Sequence, residues 1–269
     1  MSTLADVFRR LHDPGRLLIL ANAWDAAGAR LIEECGAPAI ATTSAGVAWA
    51  QGYPDGNALP PAVLAAAVAG IARAIRVPLT VDVEAGYSDD PAEVARVVRA
   101  VIDAGAVGIN LEDGADAPDL LCAKIEATRA AAERAGVDLF VNVRTDVFLR
   151  GLVPAEQAVE ATIERGRRYL AAGGDGLFVP YVVAAPDMRR LVDAIDPGPL
   201  NVMAVPGLPA AAELRALGVR RLSAGSALAS AALGHVHRLA EGFLRDGRSE
   251  PLFEAPVAYG TMNALLARG

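Results

Sequence analysis

One short phrase recurs along this chain and limits what it can fold into. Residues 34–44 (ECGAPAIATTS), 103–113 (DAGAVGINLED), 171–180 (AAGGDGLFVP) and 216–225 (ALGVRRLSAG) each read as helix end, glycine, brief turn and apolar strand. A glycine just past a helix supplies its left-handed C-terminal cap. The unbroken apolar run that follows suits a strand covered on both faces, as in a parallel sheet. The phrase is therefore an αβ junction used repeatedly. The helices between junctions are also legible: Asp90 reads as an N-cap, Pro91 as the first helical residue and Glu93 as the partner in a capping box. Val94, Val97, Val98, Val101 and Ile102 then recur at helical spacing up to Gly105. Pro154 opens a helix expected to run to about Ala172, and Pro209 a shorter one.

Collecting the apolar runs gives eight predicted strands, at 17–22, 39–44, 79–84, 107–112, 139–144, 176–180, 200–205 and 220–225. Eight strands alternating with helices in 269 residues point to a (β/α)8 TIM barrel, whose typical length is ~250 residues. An open doubly wound sheet is the rival, but no GxGxxG follows the first strand. No linker or low-complexity tract divides the chain, so 1–269 reads as a single barrel domain. Residues 226–269 hold more helix than one barrel unit needs, and form a C-terminal helical extension suited to packing or association.

Composition removes several chemistries. With 25 Lys+Arg against 32 Asp+Glu the net charge is −7, which argues against nucleic acid as a partner. Of the cations only Lys124 is lysine, and the histidines are His12, His235 and His237 alone. A Schiff-base aldolase or pyridoxal enzyme has one candidate anchor, and a His-rich zinc site is poorly supplied. Cys35 and Cys122 make no CxxC pair, and no apolar run is long enough to span a membrane or to form a signal-peptide core. The expectation is a cytoplasmic protein with no membrane contact.

Barrel enzymes carry their chemistry at the C-terminal strand ends. There the sequence offers Asp82-Val83-Glu84, with both carboxylates on one face by strand alternation, and Glu112-Asp113 on the next strand. Such oxygen donors with no His or Cys beside them suit a hard cation, Mg2+ or Mn2+, held by Asp82, Glu84 and Glu112. Asp113 reads equally as a solvated loop residue or a helix cap. The fifth strand ends Asn142-Val143-Arg144-Thr145-Asp146. Arg144 is either a fork for a substrate carboxylate or phosphonate, or one half of an ion pair with Asp146 or Glu112. Asn201 on the seventh strand is an uncharged donor for the same anion. The loop after the second strand supplies Thr43, Ser44, Ala45 and Gly46, whose hydroxyls and amides suit an anion, with Asp55 further along.

Together these segments resemble the isocitrate lyase/phosphoenolpyruvate mutase superfamily, over about residues 18–226. The resemblance rests on Thr43-Ser44-Ala45-Gly46-Val47 through Gly52-Tyr53-Pro54-Asp55, Asp82-Val83-Glu84-Ala85-Gly86-Tyr87, Glu112-Asp113 and Arg144-Thr145-Asp146. Pro199-Leu200-Asn201 before Pro206-Gly207 completes it. It implies a Mg2+-dependent lyase that cleaves a C–C bond of, or decarboxylates, a 2-oxo or 2-hydroxy carboxylate through a metal-stabilised enolate. By resemblance, Asp82, Glu84 and Glu112 hold the metal and Arg144 binds the substrate carboxylate. Thr43, Ser44, Ala45, Gly46 and Asn201 bind the substrate, and Asp55 orients water or the loop. The resemblance also implies a homo-oligomer, dimer or tetramer, with the C-terminal helix exchanged between subunits. P–C bond chemistry is the alternative, and a catalytically idle barrel that binds 2-oxo acids is another. One departure is plain: the family's mobile loop with its Lys-Lys/Arg-Cys-Gly-His motif is absent. Only Gly114 to Leu121 precede Cys122-Ala123-Lys124.

Overall fold

The computed structural model describes residues 2–267. Nine strand segments form one all-parallel sheet: β1 (Leu18–Leu20), β2 (Asn22–Ala23), β3 (Ile40–Thr42), β4 (Leu79–Asp82), β5 (Gly108–Glu112), β6 (Phe140–Arg144), β7 (Gly176–Phe178), β8 (Leu200–Met203) and β9 (Arg221–Ser223). Their order is β1-β9-β8-β7-β6-β5-β4-β3-β2. Leu18 to Leu20 pair with β9, whereas Asn22 and Ala23 pair with β3. The single first strand expected at 17–22 is thus interrupted at Ala21, and its two parts bring the ends of the sheet together into a nearly closed barrel.

Among the described residues twelve α-helices accompany the sheet: α1 (Leu4–Arg10), α2 (Ala26–Glu34), α3 (Ser44–Ala50), α4 (Pro61–Ala74), α5 (Pro91–Asp103), α6 (Pro118–Ala135), α7 (Val147–Arg150), α8 (Ala158–Ala171), α9 (Ala185–Ile195), α10 (Ala211–Ala216), α11 (Ala227–Asp246) and α12 (Tyr259–Leu266). The junction glycines Gly36, Gly105, Gly173 and Gly218 all have positive φ, as a left-handed helix stop requires. Asp90 caps α5 through the Ala92 amide at 2.9 Å, while Glu93 turns to Arg96 instead of closing a capping box. Val94, Val97, Val98, Val101 and Ile102 form its buried stripe. They join the main core, a continuous layer between helices and sheet that includes Val81, Ile109, Val141, Leu177 and Val202.

A second, smaller core lies at the opposite end of the barrel from the strand C-termini. There α1 drives Phe8 against Phe140, at 5.6 Å between ring centroids, beside Leu18, Leu20, Ala39 and Ala41. Gly108 permits this approach: a Cβ there would stand 2.7 Å from the Phe8 ring. The floor is closed, so a ligand enters from the other end. Among the described residues no helix is long and apolar enough to cross a membrane.

Candidate active site

At the C-terminal strand ends lies a cavity of about 210 Å³ lined by Asn22, Thr43, Ser44, Ala45, Asp55, Asp82, Asn110, Arg144, Leu149, Phe178, Tyr181, Met203, Ser223, Gly225 and Ser226. Among the described residues, the larger surface hollows lie away from the strand C-termini. Six of the residues singled out in the sequence meet here: Thr43, Ser44, Ala45, Asp55, Asp82 and Arg144. The remaining four, Gly46, Glu84, Glu112 and Asn201, stand behind this wall, each in a definite place.

Sheet register assembles the charged part. Glu112 and Arg144 are paired across β5 and β6, so Arg144 Nη1 donates to Glu112 Oε2 at 2.7 Å. Arg144 Nε and Nη2 donate to the two Asp146 oxygens at 2.6 and 3.1 Å. Three of its five N–H groups are thereby used, and one on each Nη stays available as a fork. The two readings of Arg144 are therefore compatible: the ion pairs fix the plane that a substrate carboxylate would meet. Asp82 sits at the end of β4, with its amide on Thr42 Oγ1 at 2.8 Å. Its oxygens receive only long contacts, from the Ser44 amide at 3.4 Å and the Glu84 amide at 3.3 Å. It is the least engaged carboxylate on the strand ends.

Strand alternation does not put Glu84 on the face of Asp82 as expected: β4 ends at Asp82, and Glu84, in a left-handed conformation, turns away from the cavity. Its oxygens accept from the Asn57 amide and from Tyr87 Oη, the latter at 2.9 Å. Glu84, Tyr87 and Asn57 all have positive φ, of 51°, 61° and 61°. Asn57 Oδ1 also accepts from the Tyr87 amide at 3.2 Å. This clasp ties the loop after α3 to the turn after β4, and so brings Asp55 over the cavity. Left-handed non-glycine residues persist only where surrounding contacts hold them, and they gather at functional sites. Sequence reasoning did not find Asn57; its role depends on backbone conformation rather than on a motif.

Asn201 lies in the barrel interior, beneath the cavity. Asn142 Nδ2 donates to Asn110 Oδ1 at 2.8 Å and to Asn201 Oδ1 at 2.9 Å, while Asn201 Nδ2 donates to the Val202 carbonyl at 2.7 Å. Arg221 Nη2 joins from below, at 3.2 Å from Asn110 Oδ1. Of this amide network only Asn110 reaches the cavity. Gly46 is needed for close packing: a Cβ there would stand 2.7 Å from Thr43 Cγ2 and 2.8 Å from Trp24 Cβ. Asn22, which carried no sequence signal, latches the rim by accepting from the Ala224 and Gly225 amides at 2.9 and 3.1 Å. Cys122 is in the first turns of α6, packed against the main core, and its thiol is pushed up by burial. It does not line the cavity.

The electrostatics show a deficit of positive charge. Burial raises the Asp82 carboxyl, Arg144 opposes that, and Asp55 adds to it. Burial also raises Glu84, against the hydrogen bonds from Asn57 and Tyr87. Glu112 is pushed up to about 8, first by burial and then by Asp82, Asp146 and Glu84, despite Arg144. Arg144 is itself partly opposed by burial, but Glu112, Asp146 and Asp82 hold it firmly charged. Arg144 at the wall, with Arg221 buried below and interacting with Asp82, thus faces Asp55, Asp82, Glu84, Glu112 and Asp146, a balance that a divalent cation would restore. Among the described residues no three His, Cys, Asp or Glu side chains are gathered into a ready-made metal cage. Mg2+ does not require one, since it usually takes one or two carboxylates and completes its shell with water and substrate oxygens. The all-oxygen donor set and the charge balance fit such an ion, with Asp82 as direct anchor.

Comparison with known proteins gives the chain's relatives. The phosphoenolpyruvate phosphomutase family profile matches residues 8–244. An uncharacterized protein of Mycobacterium tuberculosis is 37% identical over 230 residues, 84% of each chain. The 2-methylisocitrate lyase of Bacillus subtilis is 28% identical over 206 residues, 73% of this chain and 66% of its own. A solved structure from Burkholderia cenocepacia, provisionally described as a phosphonomutase, superposes with a TM-score of 0.83 at 42% identity, over 88% of this chain and 98% of that one.

Proposed function

Because the chain belongs to the phosphoenolpyruvate phosphomutase family, within the isocitrate lyase/phosphoenolpyruvate mutase superfamily, we propose that it is a Mg2+-dependent carbon–carbon lyase. Its substrate is a 2-oxo or 2-hydroxy carboxylate, cleaved between carbons or decarboxylated. The observation that carries this reading is the cavity in which a pinned Arg144 fork and the weakly engaged Asp82 are brought together at the strand ends.

Asp82 would hold the ion; Glu112, tied to Arg144, and Glu84, held by Asn57 and Tyr87, stand behind the wall and would act on it only at a distance. When bound, Mg2+ supplies positive charge beside the oxygen on which the electrons of the broken bond collect. The other roles belong to the chain's own groups. Arg144 receives the substrate carboxylate on its two free N–H groups. Thr43 and Ser44 hydroxyls hold its second oxygen, and Asp55 accepts a hydrogen bond from a substrate hydroxyl or from water. The connection from β5 to α6 is short and Cys122 is remote, so water delivers the proton to the leaving carbon.

The likeness to the Burkholderia cenocepacia protein favours P–C bond chemistry as the second reading, distinguished by phosphate release from a phosphonopyruvate-type acid. Calorimetry tests the metal role separately from turnover. Asp82→Asn is expected to abolish measurable Mg2+ binding, and Glu112→Gln to weaken it about ten- to hundredfold. Undiminished Mg2+ binding by the Asp82 variant would remove the reading's anchor.

A further inference from the structure

The floor of the cavity holds one polar group that neither the ion site nor the Arg144 fork uses. Asn110, on β5, is 6% exposed and is the member of the interior amide network that reaches the cavity. The way its amide is turned follows from its neighbours. Asn201 Nδ2 donates to the Val202 carbonyl, which can only accept, so Asn201 Oδ1 is the atom that faces Asn142. Asn142 therefore presents Nδ2, and the same nitrogen meets Asn110 Oδ1 at 2.8 Å. Arg221, whose side chain has only donors, meets Asn110 Oδ1 as well, at 3.2 Å. Both lone pairs of that oxygen are thus taken up by the network. Asn110 Nδ2 makes no hydrogen bond to the chain among the described residues, and it is left as a donor on the cavity side.

Arg221 makes this donor stronger. It is fully buried in the barrel interior, and among the described residues Nη2 is its one side-chain nitrogen with an acceptor. Burial pulls its guanidinium down to about 9, against the attraction of Asp82, so it is still a cation at pH 7. A charged donor on the amide oxygen draws electrons from the nitrogen and strengthens its N–H groups as donors. Strand order fixes what those N–H groups face. β5 lies between β4, which ends at Asp82, and β6, which ends at Arg144, and Asn110 is the register partner of Asp82. An acid whose carboxylate meets Arg144, and whose chelating oxygens face the ion at Asp82, sets its 2-oxygen above β5. Asn110 is the residue of β5 that lines the cavity, since Glu112 is turned to Arg144.

We propose that Asn110 contacts the substrate, its Nδ2 donating to the 2-oxygen, and that Arg221 and Asn142 are positioning residues that act through it. This rests on the lyase reading above and adds a residue to it. When a 2-oxo acid loses a carboxylate from its third carbon as carbon dioxide, the electron pair of the broken bond moves between C2 and C3, and the carbonyl pair moves onto the 2-oxygen. Water then supplies the proton at C3. A fixed donor at the 2-oxygen acts most strongly once that charge has formed.

The test is calorimetric and needs no turnover. Oxalate is the probe, because its second carboxylate sets an anionic oxygen where the charged 2-oxygen would stand. With Mg2+ present, Asn110→Ala is expected to weaken oxalate binding about tenfold or more, as when a hydrogen bond to a charged group is lost. Mg2+ binding without oxalate should be unchanged. Asn110→Asp keeps the acceptor for Asn142 and Arg221 and turns the cavity-side donor into a carboxylate oxygen, so it is expected to weaken oxalate further even if the alanine variant does not fold. Arg221→Met is expected to lose part of the same affinity, and to lose little more when Asn110 is already alanine. Unchanged oxalate affinity in either Asn110 variant overturns the inference. So does Mg2+ binding by Asn110→Ala that falls in step with oxalate, since Asn110 would then serve the ion. An Arg221→Met loss of the same size in both backgrounds would show that Arg221 acts by charge alone and would remove its positioning role. If the unaltered protein does not bind oxalate, the head-group reading fails, and the inference with it.

Discussion

Asp113 gathers four donors on one carboxylate. The Asp146 amide at 2.9 Å, Thr145 Oγ1 at 2.8 Å, Tyr169 Oη at 2.7 Å and Arg165 Nη1 at 2.7 Å all point to it. Its neighbour Glu112 instead faces Arg144. The two adjacent acids thus do different work: one meets Arg144, and the other fixes the turn that carries Asp146, which in turn holds Arg144. Asp113→Asn removes the charge from a fully buried carboxylate and leaves Arg165 without its counter-charge. A loss of ~3 kcal/mol in unfolding free energy is expected, as when buried ion pairs lose one member. Denaturant unfolding checks it, and a change under 1 kcal/mol would mean that the donors find other acceptors. The sequence made Glu112 and Asp113 visible as carboxylates at a strand end. It did not assign Asp113 its place, because Arg165 and Tyr169 come from α8, far along the chain. Tyr181 and Asn57 were hidden for a related reason: a left-handed backbone at a non-glycine residue leaves no mark in composition or period.

Among the elements, those that obey a local rule were legible. The αβ junctions follow from Gly36, Gly105, Gly173 and Gly218, and α5 from its cap and valine stripe. The break in the first strand, and helix α1, depend on tertiary contact. Helix α1 has its own capping box between Thr3 and Asp6, but what it covers is set by the barrel floor. It ends near His12, which is buried and stacked on Phe140 at 4.1 Å, with Nδ1 donating to the Phe8 carbonyl at 3.0 Å. Burial first, and then the charges of Arg221, Arg9 and Arg220, lower the His12 pKa to about 3. The unfolded value is about 6.5, so below that pH the unfolded chain binds the proton and the folded one does not. Stability is therefore full above 6.5 and falls as the pH drops toward 3. The site carboxylates with raised pKa values act in the opposite sense, so the contribution of His12 is isolated by comparison with a variant. Between pH 7 and pH 5 the protein should lose ~2 kcal/mol more than His12→Gln, measured by urea unfolding. Parallel pH profiles would contradict a neutral His12.

At the scale of the molecule, the C-terminal extension leaves apolar surface uncovered. Leu244 is 83% and Tyr259 86% exposed, and Leu233, Val236, Phe243 and Phe253 are exposed with them on α11, α12 and the segment between. So much apolar surface on the last helices suits association with another copy of the chain. Sedimentation is expected to show a species of two or four times the chain mass, shifted toward monomer by Leu244→Glu. A monomer at all concentrations would oppose this. The surplus helix was legible as surplus, since a barrel unit needs only one. Its partner was not, because an isolated sequence does not say what covers an exposed face.

Strand register, buried carboxylates and the Arg144 fork lead to one central claim, that Mg2+-dependent cleavage of a 2-oxo or 2-hydroxy acid takes place at Asp82. The most direct measurement is proton NMR of the protein with a panel of such acids in Mg2+, before and after excess EDTA. One acid should be consumed with a shorter acid appearing; EDTA should stop the reaction and Mg2+ or Mn2+ should restore it. Turnover that continues unchanged in EDTA would contradict the account.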